Sequence, residues 1–166
     1  MIWGNKKNRR NRHPNGGGWV ADSAFVAESA FVGPDAKVYG NAQVSDNAQV
    51  FGNAKVYGGA KVFDNAKVFG DAKVCGNALV FGDAEVYGNA KVCGNALVFG
   101  DAWVYGNAQV YGNAQVCGNA KVFEDAKVNA KVCGDARVYG NAIITKSQCI
   151  TGDTHVFDNM RITCHE

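Results

Sequence analysis

Cysteine and histidine are the residues of this sequence that could act as nucleophiles, acid–base catalysts or metal ligands, and it contains six cysteines and three histidines. Cys75 and Cys93 lie eighteen positions apart, and Cys117 and Cys133 lie sixteen positions apart. Thiolates could bind zinc, but a structural zinc site needs a cluster of four ligands. No histidine occurs at a matching spacing, so we predict neither a metal site nor a cofactor.

The histidines are equally isolated. His13 lies in a basic N-terminal stretch, and His155 and His165 lie close to the end of the chain. General acid–base catalysis needs a group within hydrogen-bond reach of the reacting atoms, and the sequence contains no phosphate-binding loop, no Ser/His/Asp set and no paired carboxylates. We therefore predict no catalytic residues and interpret His155 as a surface residue, with a catalytic base as the alternative.

The elements that must position these side chains follow from a six-residue period. Valine recurs at every sixth residue from Val20 to Val128, and alanine lies two residues before these valines from Ala24 to Ala126. An aromatic residue or cysteine, usually a glycine, and then Asn or Asp complete the unit. Residues two apart point to the same side of a strand, and Gly-Asn or Gly-Asp suits a tight corner. Each repeat is therefore predicted to be a short strand with Ala and Val inside, followed by a corner.

The unit Asn/Asp-Ala-x-Val-Phe/Tyr/Cys-Gly resembles the hexapeptide-repeat family over roughly residues 18 to 162. The resemblance implies an all-β chain in a single left-handed parallel β-helix, a triangular solenoid with eighteen residues per coil and about eight coils. The Gly-Gly-Trp-Val start at residues 17–20 also resembles uncharacterised bacterial and prophage proteins that carry a transferase label by fold analogy. Acyltransferases of the family use a histidine between subunits and loops that leave the coils. The repeats from Val20 to Val128 contain no such insertion.

Three regions follow from where the period begins, breaks and decays. Residues 1–17 are basic and lack the period, so we predict a flexible N-terminal tail. Residues 18–143 form the regular solenoid, interrupted by a two-residue deletion at 128–132, where Val-Asn-Ala-Lys-Val lacks the aromatic residue and the glycine. In residues 144–166 the inward alanines disappear, which predicts degenerate last coils and a C-terminal cap.

Counting in steps of three repeats distributes the outward side chains over three faces, and the first face carries a column of lysines. Such a column could bind nucleic acid or another acidic polymer, with neighbouring tyrosines for stacking. Lysine also protects strand surfaces from unwanted pairing. Because the repeats are slightly acidic overall, we favour the protective role. The lysine column consists of Lys37, Lys55, Lys73 and Lys91.

The second face carries both leucines of the chain, in adjacent coils, beside a column of phenylalanines. A contiguous apolar patch of this kind usually marks an interface, so we predict self-association into a trimer or dimer. In the alternative interpretation the rings fold over corner glycines and leave little area exposed. The interface candidates are Phe63, Leu79, Phe81, Leu97 and Phe99.

The third face carries an aromatic ladder. Outward aromatic rings could bind sugars or bases, but ladders of this kind more often stabilise the packing of neighbouring strands. We prefer the second interpretation, which needs no ligand. The aromatic ladder consists of Phe51, Phe69, Tyr87, Trp103, Tyr105 and Phe123.

Charge and composition bear on the environment and on the cysteines. The net charge is +2, with +5 in residues 1–18 and −3 in the rest. No apolar run is long enough to span a membrane, and no apolar segment follows the basic N-terminus as in a secretory signal. We therefore expect a cytoplasmic protein without a membrane partner and with reduced thiols. Cysteines of adjacent coils come within disulfide range, but their parallel Cβ directions make the geometry poor, so we interpret them as compact corner residues.

These observations favour a non-catalytic structural or binding solenoid, and the resemblance to prophage proteins implies a phage or prophage type. It would self-associate through the Phe/Leu face and could bind a further protein, which the sequence does not identify. One alternative is a transferase-like enzyme with sites between subunits, centred on His155. Another is a polyanion or nucleic-acid binder that uses the basic tail and the lysine column.

Overall fold

Each repeat forms a short strand and a corner, and three repeats make one coil. The computed structural model describes residues 11–162. Strands of successive coils pair in parallel with an offset of three repeats, as in the pairs Lys37 with Lys55 and Val38 with Val56. The described part is an all-β parallel solenoid of about eight turns and contains no helix. The predicted all-β parallel coil is therefore confirmed.

The strands fall on the three predicted faces. The first face contains β1 (Trp19–Val20), β4 (Lys37–Val38), β7 (Lys55–Val56), β10 (Lys73–Val74), β13 (Lys91–Val92), β16 (Gln109–Val110) and β23 (Arg161–Ile162). The second face contains β2 (Phe25–Val26), β5 (Gln43–Val44), β8 (Lys61–Val62), β11 (Leu79–Val80), β14 (Leu97–Val98) and β17 (Gln115–Val116). The third face contains β3 (Phe31–Val32), β6 (Gln49–Val50), β9 (Lys67–Val68), β12 (Glu85–Val86), β15 (Trp103–Val104), β18 (Lys121–Val122), β20 (Arg137–Val138) and β22 (His155–Val156).

Two longer strands, β19 (Lys127–Val132) and β21 (Ile143–Ile150), run from the first face around a corner onto the second. They join these two faces into one hydrogen-bonded sheet, whereas the third face is a separate sheet of eight strands. Among the described residues, no helix is long and apolar enough to cross a membrane.

The interior is filled by alanine and valine over most of its length. Between Ala30 and Val138 the inward Ala and Val side chains are almost all fully buried, and Ile144 continues the valine column. Burial of each valine stabilises the fold by about 1.5–3 kcal/mol. Backbone hydrogen bonds between coils add to this; the Lys55 N–H donates to the Ala72 carbonyl at 2.9 Å.

Corner glycines have a positive φ and stack closely on one another. At Gly40, with φ of 68°, an added Cβ would lie 2.8 Å from the backbone nitrogen of Gly58. At some corners Asp or Glu occupies the position of the corner glycine, and its carboxylate accepts a hydrogen bond from a backbone N–H of the next coil. The Gly82 N–H donates to Asp64 at 3.1 Å, and the Gly140 N–H donates to Glu124 at 2.8 Å. These hydrogen bonds offset part of the cost of a positive φ in a residue with a Cβ.

The N-terminal segment that we expected to be mobile lies in part against the first coil. Residues 1–10 lie outside the described residues, but residues 11–17 make backbone hydrogen bonds to the solenoid. The Val20 N–H donates to the Asn11 carbonyl at 2.7 Å, and the Val32 N–H donates to the Asn15 carbonyl at 3.1 Å. Open strand edges have unpaired backbone groups that favour pairing, and residues 11–17 satisfy some of those of β1 and β3. This segment is named the N-terminal cap below.

At the other end the coil continues beyond the regular repeats. Residues 144–162 form the rest of β21 and then β22 and β23, which pair in register with the preceding coil. Phe157 and Met160 are 40% and 46% exposed there. Residues 163–166, part of the expected C-terminal cap, lie outside the described residues.

Candidate interaction surfaces

The apolar candidates of the second face form one continuous patch. Leu79 and Leu97 are register partners on adjacent strands, and both side chains are half-buried. At the adjoining corner Phe63, Phe81 and Phe99 stack with nearly parallel rings and centroids 4.9 and 5.0 Å apart. The leucines and these three rings are named the apolar patch. The structure brings together all five predicted interface candidates.

The apolar patch is bounded by polar residues along the solenoid axis. The register partner of Leu79 on one side is Lys61, and that of Leu97 on the other side is Gln115. The patch therefore spans two coils on the flat face, through the leucines, and three coils at the corner, through the phenylalanines. Its side chains are held by the backbone register, because each strand pairs with both neighbours.

The predicted lysine column also lies in register on the first face. Lys37, Lys55, Lys73 and Lys91 occupy equivalent positions of four successive strands, and Gln109 follows them. Among the described residues, the ion pair that forms is Lys67 with Glu85 at 3.1 Å, and it lies on the third face. No carboxylate of the described part therefore pairs with this column.

Charge is separated between the flat faces and the corners. Between residues 11 and 162, Glu85 is the single acidic residue at an outward strand position. The other outward strand positions hold mainly Lys, Arg, Gln or an apolar residue. We discounted anion binding because the net charge of the repeats is slightly negative. That net charge sums the basic flat faces and the acidic corners, so it does not describe the flat faces alone. Basic residues of the flat faces are Lys37, Lys55, Lys61, Lys67, Lys73, Lys91, Lys121, Lys127, Lys131, Arg137 and Arg161. Acidic residues of the corners and turns are Asp22, Glu28, Asp35, Asp46, Asp64, Asp71, Asp83, Asp101, Glu124, Asp125, Asp135, Asp153 and Asp158.

The aromatic ladder of the third face is a stack of parallel rings. The ring centroids of Phe51 and Phe69 are 4.8 Å apart with 2° between the planes, and the later steps are similar. Each ring thus covers the faces of its neighbours and presents its edge to solvent. A sugar or base that stacks needs a free ring face, so this geometry favours the stabilising role. The same holds for Tyr39 and Tyr57 beside the lysine column, whose rings stack at 4.9 Å.

Trp103 departs from this stack. Its ring meets Tyr87 edge-on at 6.5 Å, and the Nζ of Lys121 lies 4.2 Å from its centroid. The ladder also continues through Tyr139 and Phe157, which sequence reasoning missed. Because of the deletion, Tyr139 follows Phe123 at two positions fewer than the regular three-repeat step. Subtracting the two missing residues from the step would have found it.

Burial and hydrogen bonding shift the pKa values of several outward tyrosines. A hydrogen bond with Cys75, followed by burial, raises the pKa of Tyr57 to about 12. Burial raises the pKa of Tyr87 and that of Tyr105. Burial also raises the pKa of the Cys93 thiol, with a further contribution from Cys75, while Lys91 acts in the opposite direction. These phenols and this thiol are therefore neutral at pH 7.

The prediction of reduced corner thiols was wrong for one pair. Cys117 and Cys133 form a disulfide with 4.6 Å between their Cα atoms. The strands that precede them pair in parallel register, Val116 with Val132, and so the two corners lie directly over one another. Parallel Cβ directions did not prevent the bond, because each side chain can rotate toward the other at this short Cα separation. Cys75, Cys93 and Cys149 are free thiols.

The remaining candidates for catalysis do not form a cluster in the described part. His155 lies on the third face, with its ring edge-on to Tyr139 at 6.3 Å. His13 lies in the N-terminal cap with 7% of its surface exposed, and its Nδ1 lies 3.0 Å from the Asn15 carbonyl oxygen. His165 lies outside the described residues. No group of three or more His, Cys, Asp or Glu residues between positions 11 and 162 could hold a metal ion.

A polar groove of about 690 Å³ lies at the C-terminal end of the first face. Gln109, Lys127 and Arg161 line it from the strands, and Asp125 lines it from a corner. None of these residues was among the predicted candidates. The lining combines two basic residues with one carboxylate and several amides, so this is a polar surface groove rather than an apolar ligand pocket.

The coil, its register and its three outward surfaces define a β-solenoid repeat protein. Two stretches, residues 90–106 and 130–146, match the family model described as the YdcK beta solenoid repeat. Both begin at an inward alanine, Ala90 and Ala130, so the match is in phase on either side of the deletion. Together the stretches cover about a fifth of the chain, so the match concerns the repeat unit. No curated protein matches the chain.

Proposed function

We propose that this protein is a non-catalytic binding solenoid that self-associates through the apolar patch. The observation that carries the proposal is the pairing of Leu79 with Leu97 beside the stacked phenylalanines, at strand positions that elsewhere on this face hold mainly Lys or Gln. Apolar side chains on a flat, rigid surface gain free energy when a matching surface covers them. A second copy offers such a surface, because an isologous contact repeats the same patch on both subunits.

The charges around the apolar patch favour a dimer with antiparallel solenoid axes. A twofold axis between the two leucines places Leu79 of one copy on Leu97 of the other, and Phe81 on Phe99 of the other. The same axis places Lys61 against Gln115 of the second copy, so no two lysines meet. A parallel arrangement without an axial shift would bring Lys61 next to Lys61 of the second copy, and like charges at close range repel.

The test is the molar mass in solution by size-exclusion chromatography with light scattering. We expect a dimer for the natural sequence and a monomer for the double variant Leu79→Gln/Leu97→Gln. Glutamine occupies the same strand position in Gln43 and Gln115, so these substitutions suit the fold. The control Lys61→Gln lies outside the apolar patch and should remain a dimer. A natural sequence that is monomeric at high concentration, or a double variant that stays dimeric, would contradict the proposal.

The separation of charge supports a second candidate function, the binding of an acidic polymer along the lysine column. The four lysines have no carboxylate partner within the described residues. The corner after each of their strands holds mainly Asn or Gly rather than Asp or Glu, as at Asn77 and Asn95. Phosphate groups gain affinity from such a column by releasing counterions, which makes binding fall steeply with salt. Since the neighbouring tyrosine rings cover one another, the contacts would be to the polymer backbone rather than to its bases.

Fluorescence anisotropy with a labelled single-stranded oligonucleotide tests this second function. Each lysine that contacts a phosphate contributes about 0.7 to the slope of log affinity against log salt. The variant Lys55→Gln/Lys73→Gln should lower that slope, whereas Lys61→Gln/Lys131→Gln on the second face should not. Deletion of residues 1–16 would separately measure the contribution of the basic N-terminus. Binding that is absent, or independent of salt, would remove this candidate.

A further inference from the structure

Cys75 and Cys93 occupy the same corner in adjacent coils, between the lysine column and the apolar patch. The strands before them pair in parallel register, Val74 with Val92. The Cys75 N–H donates to the Val92 carbonyl at 2.9 Å, and the Cys93 N–H makes the equivalent bond to Val110, also at 2.9 Å. Both thiols are free, and the register of the preceding strands places them at the same corner of adjacent coils. The backbone therefore holds two thiols together at one level of the solenoid surface.

The bonded pair on the next corner shows what this backbone arrangement permits. Cys117 and Cys133 also directly follow paired valines, and the Cys117 N–H donates to the Val132 carbonyl at 2.9 Å. Their Cα atoms lie 4.6 Å apart, within the range that a disulfide spans. The pair Cys75 and Cys93 has the same register, the same position after the inward valine and the same backbone hydrogen bond. The two pairs therefore share the backbone arrangement that brings the corners of adjacent coils together.

We propose that Cys75 and Cys93 are an oxidation site, at which a low-molecular-weight disulfide such as oxidised glutathione forms a second bond between coils. The Cys93 thiolate attacks one sulfur of the small disulfide, which releases one small thiol and leaves a mixed disulfide on Cys93. The Cys75 thiolate then attacks the Sγ of Cys93 and releases the second small thiol. The protein loses two protons and two electrons, and the small disulfide gains them.

The order of these steps follows from burial and charge. Cys75 is 8% exposed, whereas Cys93 has a larger exposed fraction. Burial raises the pKa of the Cys93 thiol, and Lys91 on the adjoining strand opposes part of that rise. An anionic oxidant approaches a basic face more readily than an acidic one, and the lysine column borders this corner. Cys93 is therefore the thiol that meets the oxidant, and Cys75 is the thiol that resolves the mixed disulfide. Exchange through a mixed disulfide is the ordinary route of such reactions.

The experiment uses the full chain with Cys149→Ser and Cys164→Ser, which removes the other thiols. After incubation with oxidised glutathione and denaturation, non-reducing tryptic digestion should yield residues 74–91 linked to residues 92–121. The latter peptide also carries residues 132–137 through the existing cystine of Cys117 and Cys133, which serves as the internal control. When Cys75→Ser is added to this background, the protein should accumulate one glutathione on Cys93. When Cys93→Ser is added instead, modification by oxidised glutathione should be at least tenfold slower, because the remaining thiol of Cys75 is buried.

Two outcomes would overturn the proposal. One is the absence of the linked peptides while the Cys75→Ser variant does become glutathionylated, since Cys93 would then be reactive but not resolved by Cys75. The other is equal modification rates for the two single-thiol variants, which would contradict the assigned order. Circular dichroism of each variant shows whether the solenoid is intact, and serine is close to cysteine in size at this outward corner.

Discussion

The side-chain oxygen of Asn129 accepts a hydrogen bond from the backbone N–H of Asn113 at 3.3 Å. One coil earlier, the Asn95 N–H donates instead to the backbone carbonyl of Gly112 at 2.7 Å. The deletion removes the glycine whose carbonyl would serve Asn113, and Asn129 replaces that carbonyl with its own amide oxygen. The shortened corner therefore keeps the hydrogen-bonding pattern of the corner before it.

Asn129→Ala should lower the free energy of unfolding by about 1–2 kcal/mol, because it removes the hydrogen-bond acceptor of the Asn113 N–H. Urea unfolding followed by circular dichroism measures the effect. The matched control is Asn53→Ala, whose side chain makes no hydrogen bond among the described residues. Equal losses for the two variants would show that the Asn113 N–H does not depend on the side chain of Asn129.

Gly112→Ala tests the same corner from the other side. Gly112 has a φ of +65°, and an added Cβ would meet the amide group of Asn129. We expect a loss of about 1–3 kcal/mol from backbone strain together with this contact. In the double variant with Asn129→Ala the contact is absent, so the combined loss should be smaller than the sum of the single losses. Simple additivity would contradict this packing.

The disulfide between Cys117 and Cys133 should stabilise the corner after the deletion. It closes a loop with a sequence separation of 16, for which the chain-entropy estimate is about 3 kcal/mol. Thermal unfolding should therefore occur at a lower temperature for Cys117→Ser/Cys133→Ser, and for the natural sequence in a reductant. Cys149→Ser, which alters an exposed free thiol, is the control. A melting temperature that does not respond to reduction would contradict the expected stabilisation.

The N-terminal cap should protect the first coil from local opening. Gly18→Ala would place a Cβ against the Val32 side chain and the Gly33 carbonyl oxygen, so the cap must move away from β3. Hydrogen exchange at Trp19, Val20 and Val32 should become about tenfold faster, which corresponds to a local loss of about 1.4 kcal/mol. Exchange in the central coils should not change. The control is Ser29→Ala, an exposed substitution in the same coil. An equal acceleration of exchange at the same three amides in the control would argue against a specific role of the cap.

The raised pKa of Tyr57 predicts a dependence of stability on alkaline pH. The folded state favours the neutral phenol, with a pKa of about 12 against 10.0 for an ordinary tyrosine. The resulting stabilisation is fully present below pH 10 and is lost as the pH rises through about 12. The difference in unfolding free energy between the natural sequence and Tyr57→Phe should therefore shrink over this range. A difference that stays constant would mean that the hydrogen bond with Cys75 does not favour the neutral phenol.

Much of the fold and of the candidate surfaces could be predicted because the period is local and uninterrupted from Val20 to Val128. Once alanine and valine are assigned to the interior, steps of three repeats place every outward side chain in a column. This reasoning found the leucine pair, the lysine column and most of the aromatic ladder. It missed Tyr139, because two missing residues change the step across the deletion, and the pattern does not show how the chain closes that corner.

The sequence by itself determined the all-β parallel coil, the inward Ala and Val, and the membership of the columns before the deletion, because these follow from a repeat that each short segment carries. The tertiary structure alone decided that residues 11–17 lie over the first coil, that Asn129 replaces a missing carbonyl, and that Cys117 and Cys133 are bonded. The physical reason is that these three features depend on contacts between coils or with the solenoid end. There a distance of a few ångströms decides whether a bond forms, and no local pattern contains that distance.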